Sequence, residues 1–216
     1  VSYNKIVPSK LTDIIMVAPS SSGYVLRKSF KNKNGVPGLV AYLGSKSLLD
    51  LALSYARGIG LTKAGVYSTT FDEETFSDLF GEQAVLVGGL FCIVNAAFNV
   101  LVGKGYSKNL AWMVCFYELR SIVSTVHDVG FLDFFKKISH NAMIGTEKVA
   151  NSNIYSSIFQ KYEKLLDEIE DKSFEKSINS DNSIQKLNSF IKDFEKSDFN
   201  STDSRLRQIF ITKTDD

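Results

Sequence analysis

Phe76-Ser-Asp-Leu-Phe-Gly-Glu-Gln-Ala-Val-Leu-Val-Gly-Gly89 is the stretch from which the rest of the chain can be read. Asp78 and Glu82 are four residues apart, so on a helix they project from one face on consecutive turns. No charged side chain follows Glu82 until Lys104, which leaves residues 84–103 wholly uncharged. Two like charges at that spacing repel, and burying either is costly unless something positive lies between them. A hard cation meets that need, and Mg²⁺ takes oxygen ligands with waters completing an octahedron. The competing reading is a solvated first turn whose acids favour the helix N-terminus through its dipole. On spacing alone that blander reading is the commoner one.

Length and charge narrow the field. A chain of 216 residues can bury one good core or two small ones. With 44% hydrophobic and 23% charged residues it reads as an ordinary soluble globular protein. A net charge of +1 gives no reason to expect nucleic acid as a partner. Residues 1–150 carry 15 basic and 11 acidic groups against 10 and 13 in residues 151–216, an asymmetry too mild for a binding tail. Cys92 and Cys115 lie in apolar stretches without CxxC or Cys/His spacing, so buried reduced thiols are expected and structural zinc is not. That favours a reducing compartment, the cytoplasm or, in a eukaryote, an organelle. His127 and His140 have no ligand spacing and read as surface or hydrogen-bonded groups, and Tyr24 and Trp112 as packing groups.

The uncharged run 84–103 is long enough to cross a bilayer. Asn95 and Asn99 interrupt one face, Gly88-Gly89 suits tight helix packing, and Lys or Arg does not flank both ends. The expectation is therefore no membrane, with the run as the buried centre of a helical domain. The polar first residues give no expectation of a secretory leader.

Strand-like runs are confined to the first 70 residues: 12–18 (T-D-I-I-M-V-A), 38–43 and 64–69. Residues 47–57 have helical period, with Gly58 as a stop. Apolar strands alternating with helices predict a parallel α/β sheet. From residue 71 the pattern is helical, with Thr70 as a plausible cap and acids in the first turn. A second helix is expected over 112–127. Residues 151–216 predict peripheral helices with loose loops near Ser180 and Asn200. A strand-helix-strand-helix-strand piece would leave a sheet edge unpaired, which suggests that further strands precede Val1.

Three blocks carry a family resemblance. Phe71-Asp-Glu-Glu-Thr-Phe-Ser-Asp-Leu-Phe-Gly-Glu-Gln-Ala-Val-Leu-Val-Gly-Gly89 resembles the start of the helical domain of ketol-acid reductoisomerases. Asp13-Ile-Ile-Met-Val-Ala-Pro-Ser-Ser-Ser-Gly-Tyr-Val-Leu-Arg27 resembles the family's D-x-I-M-x-A-P-K-x-P-G-H-x-V-R. Tyr55-Ala-Arg-Gly-Ile-Gly60 through Ala64-Gly-Val-Tyr-Ser-Thr-Thr70 resembles A-Y-A-x-G-I-G…A-G-V-x-x-T-T. Order and spacing hold from residue 3 to about residue 150, and more loosely to the end.

The resemblance implies residues 1–70 as a partial Rossmann-like segment, 71–150 as the core of a knotted helical domain with the remnant of a metal site, and 151–216 as peripheral C-terminal helices. It implies Mg²⁺-dependent alkyl migration and NADPH-dependent reduction of a 2-hydroxy-3-keto acid, 2-acetolactate or 2-aceto-2-hydroxybutyrate, in branched-chain amino-acid synthesis. It also implies a dimer through the helical domains. Residue by residue, Asp78 and Glu82 match the first pair of metal-binding acids. Met113-Val-Cys-Phe-Tyr-Glu-Leu119 stands where the family reads F-E-C-x-H-E-L, so Glu118 is kept and the other acid is Val114. Ser139 matches the serine that contacts the substrate carboxylate. Ser20 stands for the expected lysine, Tyr24 for the histidine of P-G-H, and Ser2 for the upstream histidine.

Removing the acid at 114 lowers the negative field available to two ions, so one weakly held Mg²⁺ is expected. The glycine-rich cofactor turn of the family falls outside these 216 residues, and the chain alone is expected to be inactive. A non-catalytic paralogue, or a gene remnant that keeps the fold and the dimer surface, is the alternative.

Overall fold

The computed structural model describes residues 1–9 and 11–211, so the end of the 151–216 tail, residues 212–216, lies outside the described residues. The chain divides into two compact units, Val1–Phe80 and Gly81–Asp216.

In the first unit, β1 (Ile14–Pro19), β2 (Gly38–Leu43) and β3 (Val66–Ser68) form a three-stranded sheet in that order. Helix α1 (Gly23–Lys31) joins β1 to β2, and α2 (Leu48–Gly58) with the 3₁₀ turn Leu61–Lys63 joins β2 to β3. Strands β2 and β3 are parallel, with Gly38 opposite Val66. Strands β1 and β2 are antiparallel, with Pro19 opposite Gly38. The sheet is thus mixed where an all-parallel piece was expected. The reason lies in the connections. The segment holding α1 leaves and re-enters at the same end of the sheet, closed by Ser20 N–H donating to Pro37 O at 2.9 Å. The segment holding α2 instead carries the chain back along the sheet before β3 begins. Helix α2 turns Ala52 and Ala56 inward, and these small side chains are fully buried with Val40 and Leu61. The last element of this unit is α3 (Phe71–Gly81), capped as expected by Thr70, whose Oγ1 accepts from Glu73 N–H at 3.1 Å.

The second unit is helical. It opens on a π turn, Glu82–Leu86, followed by α4 (Gly88–Gly103), α5 (Lys108–Trp112) and a second π turn, Met113–Tyr117. Helix α6 (Leu119–Phe135) is broken at Gly130, where φ of 76° departs from helical geometry. Then come α7 (His140–Ala150), α8 (Asn153–Glu170), α9 (Ser173–Ile178), α10 (Asp181–Glu195) and α11 (Asp198–Phe210). Serine punctuates these helices: Ser107, Ser139, Ser152 and Ser197 each accept a backbone N–H of the first turn of the helix that follows.

The core of this unit is Val94 and Phe98 of α4, Ala111 and Trp112 of α5, and Phe199 and Leu206 of α11. Trp112 is fully buried and its Nε1–H donates to Asp203 Oδ1 at 2.8 Å, which satisfies the indole in an apolar setting. Helix α11 is therefore part of the core rather than peripheral. Asn200 lies within it, not in a loose loop, because Phe199, Thr202 and Leu206 share the face that packs on α4 and α5.

Three further expectations change. Cys92 is exposed, not buried. Tyr24 is 66% exposed and packs on little. The uncharged run is also not sealed inside this chain: Val94 and Phe98 are buried, while Val85, Leu86, Val87, Ile93 and Val100 stand open to solvent. Among the described residues α5, α11 and the adjoining π turns cover one stripe of α4, and Phe190 and Phe194 of α10 pack on its Phe91, while other positions stay open. By length and composition Phe71–Gly103 could cross a membrane, an 18-residue window within it having a mean hydropathy of 2.3. One such helix is weak support for a membrane protein.

Candidate functional site

The structure presents the three candidate carboxylates to solvent: Asp78 on α3, Glu82 at the head of the first π turn, and Glu118 just after the second. Among the described residues, no ion pair or side-chain hydrogen bond engages any of them. Exposed, unengaged carboxylates are what a hydrated hard cation needs, since few waters need be given up. Among the described residues, however, no three His, Cys, Asp or Glu side chains come together as a group that could hold a metal. The donors among the described residues do not make an all-protein cage.

One acid was missed. Glu74 sits one turn before Asp78 on α3 and is partly buried. Its carboxyl is held above the usual carboxylate range, first by burial and then by the negative charge of Asp78. Thr75 opposes this by donating its hydroxyl to Glu74 Oε2 at 3.3 Å, and Thr75 Oγ1 in turn accepts from Ser2 Oγ at 3.2 Å. Ser2 is thus tied into a chain of hydroxyls ending at an acid. The signal was present in the sequence: Glu74 is four residues before Asp78, as Asp78 is four before Glu82. It was hidden because an acid in a first turn has a sufficient explanation in the helix dipole.

Both acids of the helical unit sit against π turns, which are rare and frequent at functional sites. In the first, Val87 N–H donates to Glu82 O at 2.9 Å; in the second, Glu118 N–H donates to Met113 O at 3.1 Å. Val114, inside the second turn, is 46% exposed, so an isopropyl group faces water where an acid was expected. Glu118 also borders an open cleft of about 990 Å³ whose wall includes Phe116, Arg120, His127 and Arg207.

Ser139 caps α7, with Ala142 N–H donating to its Oγ at 3.2 Å. Its hydroxyl proton remains available, because accepting one bond leaves the O–H free to donate. Ser20 is exposed at the end of β1. The turn from β1 to α1 reads Ser20-Ser-Ser-Gly23, and no G-x-G-x-x-G follows a strand, so these residues do not form a pyrophosphate cradle.

Comparison with known proteins places both units. Residues 71–211 match the family described as ketol-acid reductoisomerase, C-terminal domain, and residues 1–65 match acetohydroxy acid isomeroreductase, NADPH-binding domain. An NADH-preferring ketol-acid reductoisomerase from an uncultured archaeon superposes with a TM-score of 0.90 at 32% identity, over 98% of this chain and 65% of that one. The chain thus spans just under two thirds of that enzyme's length. A Plasmodium falciparum pyrroline carboxylate reductase with NADP bound aligns at a TM-score of 0.47 and 12% identity, over 74% of this chain and 61% of that one, too distant to bear on fold or function.

Proposed function

The chain belongs to the ketol-acid reductoisomerase family, and from that premise we propose that it holds one divalent cation on Asp78 and Glu82 and carries part of the apparatus acting on a 2-hydroxy-3-keto acid. The observation that carries this is the pair of exposed, unengaged acids, preceded by Glu74, whose carboxyl is raised first by burial and then by the charge of Asp78. The Asp78 charge, the lesser of the two causes, has the sign that also attracts a cation.

A bound Mg²⁺ supplies Lewis acidity at the substrate oxygens. The protein's own part is to hold that charge and to orient the substrate. Asp78 and Glu82 supply oxygen ligands from consecutive turns. Glu118 adds a third acid without its partner, since Val114 offers no oxygen. Ser139 can donate its free hydroxyl proton to a substrate carboxylate while keeping its cap on α7.

Three positions limit the chemistry. Val114 lowers the field that would hold a second ion, Ser20 removes a lysine cation, and Ser2 replaces a proton-carrying imidazole with a hydroxyl already committed to Thr75. The match over residues 1–65 supports use of a nicotinamide dinucleotide, yet the residues described here lack its phosphate turn, so no step is assigned through it. No 2-acetolactate-dependent oxidation of NADPH or NADH by this chain is expected at saturating Mg²⁺. Turnover abolished by Asp78→Asn would restore the full enzyme reading and overturn the impairment.

A second reading keeps the same fold without catalysis. The open apolar stripe of Val85, Leu86, Ile93 and Val100 favours an assembly surface, with a second copy of the helical unit covering it. Whether the acids bind metal separates the two readings.

A further inference from the structure

A π turn fits one extra residue into a helical turn, and the carbonyls it loosens must find room and partners. The turn that Glu82 opens has both. Gly88 and Gly89 provide the room: a Cβ on Gly88 would collide with Gln83 O, and one on Gly89 with Ala84 O, each a carbonyl five residues back. Tyr162 provides the partner. It lies on α8, 78 residues away in sequence, and its hydroxyl donates to Ala84 O. The two provisions meet at one point, since a Cβ on Gly89 would also come within 3.2 Å of the Tyr162 hydroxyl.

We infer that Tyr162 is a positioning residue for the cation-binding acid Glu82: from a separate helix it pins the π turn and so fixes the direction in which the carboxylate points. The inference rests on the proposal that Glu82 is a ligand. Tyr162 touches neither cation nor substrate. Its lever is geometric. Collapse of the π turn into regular helix would remove one residue from the turn, rotating Glu82 by about 100° relative to Val94 and Phe98, which anchor α4 in the core.

The test is a Mn²⁺ titration of the whole chain followed by electron paramagnetic resonance, on the unmodified protein, Glu82→Gln, Tyr162→Phe and the double variant, with thermal unfolding alongside. Glu82→Gln is expected to weaken Mn²⁺ binding tenfold or more. Tyr162→Phe is expected to weaken it about threefold to tenfold, the size of one net hydrogen bond. The double variant should bind no more weakly than Glu82→Gln alone, because Tyr162 acts through Glu82. Additive losses, or a Tyr162→Phe protein that binds like the unmodified one, would overturn the positioning role while leaving the ligand in place. Glu82→Gln binding like the unmodified protein would overturn the ligand reading and the inference with it. Gly89→Ala drives a Cβ into Ala84 O itself, and reports on the π turn's hold on Glu82 if Tyr162→Phe fails to fold. It should show the same loss and the same absence of additivity, and unchanged Mn²⁺ affinity in a folded Gly89→Ala protein would count against the role.

Discussion

Val114 is one isopropyl group facing water inside a π turn, at the position where the proposed site lacks an acid. Val114→Glu should therefore strengthen divalent binding about tenfold, read by calorimetry, with little change in stability because the site is exposed. An unchanged affinity would mean that Glu118 and residue 114 lie outside the cation's reach. Glu74 makes a separate claim. Its carboxyl titrates above the ordinary range in the folded protein, so folding is favoured below the unfolded value and that advantage is lost as pH rises through the folded one. At neutral pH the charged Glu74 opposes folding. Glu74→Gln should raise the unfolding temperature at pH 7, by the equivalent of roughly 0.2–0.5 kcal/mol for relief of a like-charge pair at this spacing. At pH 3 the gain should vanish. A gain that persisted there would point to packing rather than charge.

At the scale of elements, the strand at 38–43 and the helix at 47–57 could be read from apolar runs and a glycine stop, and both lie within a residue of where they were expected. The direction of β1 could not be read, because periodicity reports which residues pair with a core and says nothing of which end the chain re-enters. The π turns were equally hidden, since an extra residue in a helical turn leaves no mark in an uncharged run. Helix α11 misled for a different reason. Its sequence is polar on most sides, yet three positions, Phe199, Thr202 and Leu206, suffice to bind it to α4 and α5. The Phe199 and Phe98 rings meet edge to face with centroids 5.1 Å apart. Phe98→Ala should cost about 3–5 kcal/mol in chemical denaturation. A loss below 1 kcal/mol would mean that α11 does not depend on this contact.

Across the whole molecule, the family could be recognised in the sequence, because its motifs cluster at strand ends and helix starts where backbone geometry restricts the residues allowed. The site was only half legible. Its acids could be named from spacing, whereas Glu74's raised carboxyl and the tyrosine behind Glu82 depend on contacts that spacing does not encode. The exposed apolar stripe of α4 is a property of the single chain, and a second copy is the occupant the account expects. Native mass spectrometry should give a dimer, and Ile93→Glu should yield monomer; a monomeric unmodified protein would leave the stripe unexplained. The measurement that reaches the centre of the account is a calorimetric titration with Mg²⁺. It should report one weak site per chain, lost in both Asp78→Asn and Glu82→Gln. Two tight sites, or a single site indifferent to both substitutions, would contradict it.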